Sequence, residues 1–218
     1  MTGPNSVRCV CFDWGGVLLR ICRSFAEGVR AAGLELRPGA DAPEMAAKRH
    51  ELAHQFQIGG LQREEFLAAI SSAMHHAYTP QEFEKIHDAW LIEEYPGVSG
   101  LIDDLHARPG VETAMLSNTN ELHWARRFPA AGKPHFPTAG RLKHRHASHV
   151  LGLAKPDRAI YRAFEREAGF AAGEILFFDD LEENVAAARS CGWKSERIDH
   201  AGDTAAQMRT HLRSYGVL

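Results

Sequence analysis

The sequence predicts an α/β protein with a doubly wound parallel sheet, interrupted after its first strand by an all-helical insertion. Three features carry that prediction. Two short apolar runs, residues 7–12 and 175–178, each stop on carboxylates: Asp13 for the first and the Asp179-Asp180 pair for the second. From Pro96-Gly97 onward, strand-like runs alternate with helical stretches, the pattern of βα units in a parallel sheet with right-handed crossovers. Between about residues 24 and 94 the spacing of Ala, Leu, Glu and His is helical, with no convincing strand. The expected organisation is a Rossmann-like core of residues 1–19 and 96–218. A four-helix bundle over residues 20–95 forms a cap that emerges beside Asp13.

Each element has a local reason. Val7-Arg8-Cys9-Val10-Cys11-Phe12 is rich in Val, Cys and Phe, residues that suit a buried strand, and Gly15-Gly16 allow the sharp turn that follows. Cap helices are predicted over 24–32, 41–57, 62–75 and 81–93. Asp41 before Pro43-Glu44, and Thr79 before Pro80-Gln81-Glu82, supply start signals; Pro38-Gly39 and Gly59-Gly60 punctuate the turns. A helix over 98–107 precedes a strand over 111–116 that ends in Ser117-Asn118-Thr119-Asn120, and a helix over 120–128 follows. Residues 129–146 read as a Pro/Gly/His-rich loop, with a weak strand near 147–150. Lys155-Pro156-Asp157 opens a helix running to 168. The 175–178 strand is followed by a helix over 182–191, a strand over 194–198 and a last helix from 203.

Composition narrows the class. In a chain of 218 residues, 44% hydrophobic and 24% charged content describes a folded globular protein, and a net charge of −3 offers no general attraction to nucleic acid or to an anionic membrane. No charged-then-apolar leader precedes the first strand, and no apolar run approaches the roughly 20 residues of a membrane span, so a cytoplasmic location is expected. Cys9, Cys11, Cys22 and Cys191 lack metal or redox spacing and read as buried thiols. His144, His146 and His149, among Arg141, Lys143 and Arg145, read as a solvated basic loop rather than a zinc site, and His75-His76 as part of a cap helix.

In open α/β sheets ligands bind beyond the carboxyl ends of the strands. Asp13, Ser117-Asn118 and Asp179-Asp180 all end predicted strands there, and Lys155 begins the helix that feeds the last of them. A lone Asp is usually a cap or turn residue, but this set contains what phosphoryl transfer to a carboxylate needs. Asp13 can attack phosphorus. Carboxylate oxygens can hold Mg²⁺, the Lys155 ammonium can offset phosphate charge, and Ser117, Asn118 and the backbone N–H groups of Trp14, Gly15 and Gly16 can hold its oxygens. The Trp14 ring serves equally well as a substrate contact or as packing, and Arg20 stands where the hinge could reach substrate.

These residues resemble the haloacid dehalogenase-like hydrolase superfamily. The resemblance rests on ordered motifs: Phe12-Asp13-Trp14-Gly15-Gly16-Val17-Leu18, Leu116-Ser117-Asn118-Thr119-Asn120, Lys155-Pro156, and Phe178-Asp179-Asp180 with Asn184. It implies that Asp13 is nucleophile and Mg²⁺ ligand, Ser117 binds the transferring phosphate and Lys155 neutralises it. Asp179 and the Gly15 carbonyl would ligate the metal. Asp180 would support the metal or Lys155, and Asn184 falls near the metal-bound water.

Most phosphatases of that superfamily carry Asp where this chain has Gly15, as general acid and base. Three readings follow. The leaving group departs without protonation, as from a sugar 1-phosphate; the chain is most similar to the bacterial α-D-glucose-1-phosphate phosphatase group. Alternatively it is a metal-independent 2-haloacid dehalogenase, against which the Asp179-Asp180 pair argues, or a catalytically impaired protein that binds a phosphorylated ligand. The expected partner is a small phosphorylated substrate, with the oligomeric state left open.

Overall fold

A computed structural model describes residues 7–128 and 135–218. Strand β1 (Cys9–Phe12) is followed by a short strand β2 (Leu19–Ile21) and by helices α1 (Phe25–Ala31), α2 (Pro43–Gln57), α3 (Arg63–Ala73) and α4 (Pro80–Trp90). Strand β3 (Leu91–Glu94) then returns and pairs antiparallel with β2. Next come α5 (Val98–His106), β4 (Glu112–Ser117), α6 (Glu121–Trp124), α7 (Pro137–Arg141), β5 (His144–Ala147) and α8 (Ser148–Leu151). The chain ends with α9 (Arg158–Ala168), β6 (Ile175–Asp179), α10 (Glu182–Ser190), β7 (Lys194–Arg197) and α11 (Thr204–Ser214).

The main sheet is parallel throughout, in the order β5-β4-β1-β6-β7, with β1 at its centre. Successive side chains on a strand point to opposite faces, and the two core clusters divide accordingly. Val10, Phe12, Met115, Leu176 and Phe178 pack on one face with Leu101, Leu105, Met208 and Leu212 of α5 and α11. Cys9, Cys11, Leu116, Ile175 and Phe177 pack on the other with Ile160, Tyr161 and Phe164 of α9 and Ala188 of α10. Burial on both faces is why β1 and β6 read as continuous apolar runs rather than alternating ones. Trp193 closes the second face edge-on against Tyr161, with ring centroids 5.2 Å apart. All four cysteines are buried as free thiols.

Helices α1–α4 enclose a third cluster containing Val29, Phe56, Phe66, Ile70, Met74, Tyr78, Phe83 and Ile86. The Phe56 and Phe66 rings stack at 4.3 Å and 9°, a pairing worth about 0.5–1.5 kcal/mol beyond its buried area. Thr79 caps α4 in a complete capping box with Glu82. Asp41, expected as a cap, is not one: Ala42 stands at the α2 start, and Asp41 instead accepts from Arg49 at 3.0 Å. The buried Arg49 guanidinium lies 4.0 Å over the Phe25 ring.

Several boundaries differ from expectation. The fourth insertion helix ends at Trp90 rather than 93, because Leu91–Glu94 form β3 against β2. His75 and His76 lie outside α3, with φ of 52° and 56°, so they make a left-handed turn rather than a helical face. The strand expected near 147–150 lies three residues earlier, at β5, and 148–151 is helical. His144 and His146 are consequently half-buried edge-strand residues against Phe170 and Phe164, not a solvated loop. The part of the expected loop over 129–134 lies outside the described residues. Among those described, no helix is long and apolar enough to cross a membrane.

Candidate active site

Sheet register brings the strand ends together. Phe12 of β1 is level with Met115 of β4 and Phe178 of β6, and the Asp13 N–H continues the ladder by donating to the Phe178 carbonyl at 2.8 Å. Asp13, Ser117 and Asp179 therefore emerge side by side at the carboxyl edge. The Asp13, Asp179 and Asp180 carboxylates are all buried, with one oxygen of each within 4.8 Å of the others. The Ser117 side chain stands beside Asp13 and favours its charged form.

Lys155 reaches this cluster from the loop before α9, whose cap is Asp157. Its side chain is wholly enclosed, with Nζ 2.6 Å from Asp179 Oδ2 and 3.0 Å from Asp13 Oδ1. Burial alone would lower the lysine's pKa; the Asp13 and Asp179 carboxylates outweigh it and raise it above its ordinary value. The Asp13 carboxyl is pushed up to about 7, chiefly by burial, with Lys155 opposing and Asp179 and Asp180 adding to the rise. Three buried carboxylates thus gather around one wholly enclosed ammonium.

Asn118 is expected to touch phosphate, but its amide is engaged elsewhere. Its Oδ1 accepts from the Lys155 N–H and its Nδ2 donates to the Lys155 carbonyl, both at 2.8 Å. Of the two readings open for the Trp14 side chain, the structure shows the packing, while its backbone N–H faces Asp13. Its ring is buried edge-on against Trp124 and Phe136, and its N–H donates to Asp13 Oδ1 at 2.7 Å. Ser148 steadies the same loop, its hydroxyl accepting from the Thr119 N–H and donating to the Thr119 carbonyl, each at 2.9 Å.

Asn184 is buried beneath Asp179 and donates to both its carboxylate oxygens at 3.0 Å, while its carbonyl accepts from the Tyr161 hydroxyl at 2.9 Å. The side-chain Oδ1 of Asn184 is enclosed without a hydrogen-bond partner. Hard carboxylate oxygens, surplus negative charge and this orphaned acceptor together suit a divalent cation such as Mg²⁺ with its bound water.

The turn after Asp13 is tight. The Gly16 N–H donates to the Leu19 carbonyl at 2.7 Å, and Gly16 has φ of 86°. A Cβ on Gly16 would lie 2.5 Å from Asp180 Oδ2 and 2.6 Å from an Arg23 nitrogen, so only glycine fits there. At Gly15 a Cβ would lie 2.9 Å from Ile21 Cδ1. A side chain at Gly15 would therefore need the tip of this apolar side chain from β2 to shift.

Arg20 does not reach the site; it pairs with Glu93 across the ribbon at 3.2 Å with both side chains exposed. Arg23, three residues on, does, placing NH1 2.7 Å from Asp180 Oδ2. Asp180 accordingly supports the site through Arg23 rather than through Lys155. Beside Arg23, a cavity of about 460 Å³ runs from Ser24, Asn120 and His123 into the helical segment, where Phe25, Phe56, Phe66, Ile86 and Trp90 line it. Sequence reading missed Ile21, Arg23 and Ser148. None belongs to a recognisable spacing, and their roles come from the β2–β3 pairing and the position of α8.

The family model for haloacid dehalogenase-like hydrolases matches residues 7–192. Phosphatase MT3486 of Mycobacterium tuberculosis is 25% identical over 155 residues, covering 71% of this chain and 69% of that protein. A haloacid dehalogenase family enzyme, bt-2542 of Bacteroides thetaiotaomicron, shares the fold with a TM-score of 0.74 at 20% identity, over 94% of this chain and 99% of its own. A structure of that enzyme in complex with magnesium and inorganic phosphate gives a TM-score of 0.73 at 22% identity, over 94% and 100%. L-2-haloacid dehalogenase of Xanthobacter autotrophicus is similar at a TM-score of 0.60 and 18% identity, over 97% and 84%. With the family model spanning most of its length and the motif residues gathered at one sheet edge, the chain belongs to the haloacid dehalogenase-like hydrolases.

Proposed function

We propose that this hydrolase is a Mg²⁺-dependent phosphatase acting on a small phosphorylated metabolite through a phospho-Asp13 intermediate. The observation that carries this reading is Lys155 Nζ, fixed between Asp13 and Asp179 within a cluster of three buried carboxylates. A haloacid dehalogenase attacks neutral carbon and has no use for such a concentration of metal-ligating oxygen. The phosphatase name of the mycobacterial relative, and the magnesium and phosphate bound to the Bacteroides enzyme, agree with it.

Asp13 Oδ attacks phosphorus in line, the bond to the leaving oxygen breaks, and water then cleaves the acyl phosphate, releasing phosphate and restoring the carboxylate. Ser117 and the Gly15 N–H hold the phosphate oxygens, the Trp14 and Gly16 N–H groups being engaged by Asp13 Oδ1 and the Leu19 carbonyl, and Lys155 offsets their charge. A bound Mg²⁺, held by Asp13, Asp179 and the Gly15 carbonyl, would supply further charge neutralisation. Residues 20–95 act as the cap, and the leaving portion of the substrate occupies the cavity beside Arg23.

Gly15 supplies no proton, so the leaving oxygen must depart as an anion. Sugar 1-phosphates and acyl phosphates meet that condition better than primary-alcohol phosphates. Screening phosphorylated metabolites with and without Mg²⁺ tests the reading: phosphate release is expected to need the metal and to vanish in Asp13→Asn. Activity surviving both EDTA and Asp13→Asn would overturn it. The glycine at position 15, with Ile21 Cδ1 2.9 Å from where its Cβ would stand, favours one other reading, a catalytically impaired binder of a phosphorylated ligand, which predicts affinity without turnover at saturating Mg²⁺.

A further inference from the structure

We propose that Arg23 takes over at the leaving oxygen from the absent carboxylic acid, meeting its developing negative charge with a fixed guanidinium in place of a transferable proton. The inference rests on the phosphatase reading and on three features of the chain.

The first is placement. Arg23 follows β2 and lies over the Asp13 loop, one guanidinium nitrogen being 2.6 Å from where a Gly16 Cβ would stand. The second is accessibility. NH1 is held by Asp180 at 2.7 Å, yet a third of the side chain is exposed, and Arg23 lines the 460 Å³ cavity together with Ser24, Asn120 and His123. Lys155 is wholly enclosed and committed to Asp13 and Asp179, and it does not line that cavity. The third is the local substitution of function. Ile21 Cδ1 crowds the place of a Cβ at Gly15, and Arg23, two residues further along the same segment, brings a cation to the same loop.

In-line attack by Asp13 expels the leaving oxygen on the side of phosphorus away from the nucleophile, and that oxygen is proposed to lie within reach of Arg23. As the phosphorus–oxygen bond breaks, its electron pair stays on that oxygen. A guanidinium keeps its charge at any working pH and offers five N–H donors, of which Asp180 engages only part. Such a preorganised donor is strongest where charge appears in the transition state, and removing one of this kind costs about a hundred- to a thousandfold in rate. It lowers the barrier most for the leaving groups that hold negative charge least well.

The test is a series of aryl phosphates whose phenols span leaving-group pKa values from about 5 to about 10, assayed at saturating Mg²⁺ with the wild-type chain, Arg23→Gln and Arg23→Lys. The expected result is a steeper fall of log kcat/KM with leaving-group pKa in Arg23→Gln. The loss should be about tenfold for the most acidic phenol and a hundredfold or more for the least acidic, with Arg23→Lys between. An equal loss across the series would assign Arg23 to holding Asp180 and overturn the proposal, as would no loss. Absence of turnover by the wild-type chain on every ester would overturn the phosphatase reading itself, and this inference with it.

Discussion

Asn118 holds Lys155 by both of its backbone groups, accepting from its N–H and donating to its carbonyl at 2.8 Å each. The clamp joins the end of β4 to the loop before α9 and so fixes the stem from which the buried ammonium extends between Asp13 and Asp179. In the proposed mechanism, phosphate neutralisation thus depends on a residue that the spacing alone assigns to phosphate itself.

Replacing Asn118 with Leu should therefore act through Lys155. The Lys155 N–H would be left without its partner, costing about 1–3 kcal/mol, and kcat should fall by roughly tenfold or more as the ammonium loses its fixed position. Asp in its place keeps the acceptor and loses the donor, and should recover part of the stability. Urea denaturation alongside steady-state kinetics checks both.

Gly15→Asp alone should restore little acid catalysis, because Ile21 Cδ1 lies 2.9 Å from the new Cβ. Adding Ile21→Val removes that carbon for about 0.5–1.5 kcal/mol. The double variant should raise kcat/KM on primary-alcohol phosphates by about a hundredfold while leaving acyl phosphates nearly unchanged. Equal gains on both substrates would contradict the leaving-group argument.

His87 of α4 and His123 of α6 meet ring to ring, Nδ1 to Nε2, at 3.2 Å. Burial lowers His87 to about 4 and drives His123 well below its ordinary value, with the neighbouring His87 adding to the fall. Both stay neutral in the fold, whereas unfolded histidines take up protons below about 6.5. Their stabilising contribution is complete above pH 6.5 and is lost as pH falls from there to about 4. Replacing both by Gln should reduce the stability lost between pH 7 and pH 5 by about 1–2 kcal/mol, read from urea midpoints at the two values.

Magnesium should stabilise the fold by mass action, by about 2.7 kcal/mol at a hundred times its dissociation constant. Thermal unfolding with and without Mg²⁺ measures this directly and needs no substrate. Asp179→Asn should abolish the shift; a shift that survives it would place the cation elsewhere.

Strands β1 and β6, the residues at their ends and Lys155 are legible in the sequence because a strand buried on both faces leaves an unbroken apolar run, and a carboxylate ending such a run stands out. The β2–β3 ribbon is not. Leu-Arg-Ile and Leu-Ile-Glu-Glu are three and four residues long, and their periodicity merges with that of α4. Strand β5, His144-Arg145-His146-Ala147, carries no strand signature because it is an edge whose pairing with β4 decides its conformation. Arg23 and Ile21 depend on that same ribbon, so their place beside Asp13 becomes visible only when the chain is folded.

The ribbon also bears on how such a chain could acquire its helices. The path leaves the sheet domain through Leu19–Ile21 and re-enters through Leu91–Glu94, two strands hydrogen-bonded side by side. To the parent sheet, an excursion of roughly seventy residues thus has the span of a hairpin, and lengthening it would cost only about 0.6 kcal/mol per doubling in closure entropy. On the proposed reading, helices held at such a paired stem could lengthen, shrink or be exchanged while Asp13, Lys155 and Asp179 keep their register, and substrate choice could diverge without the chemistry having to be built again.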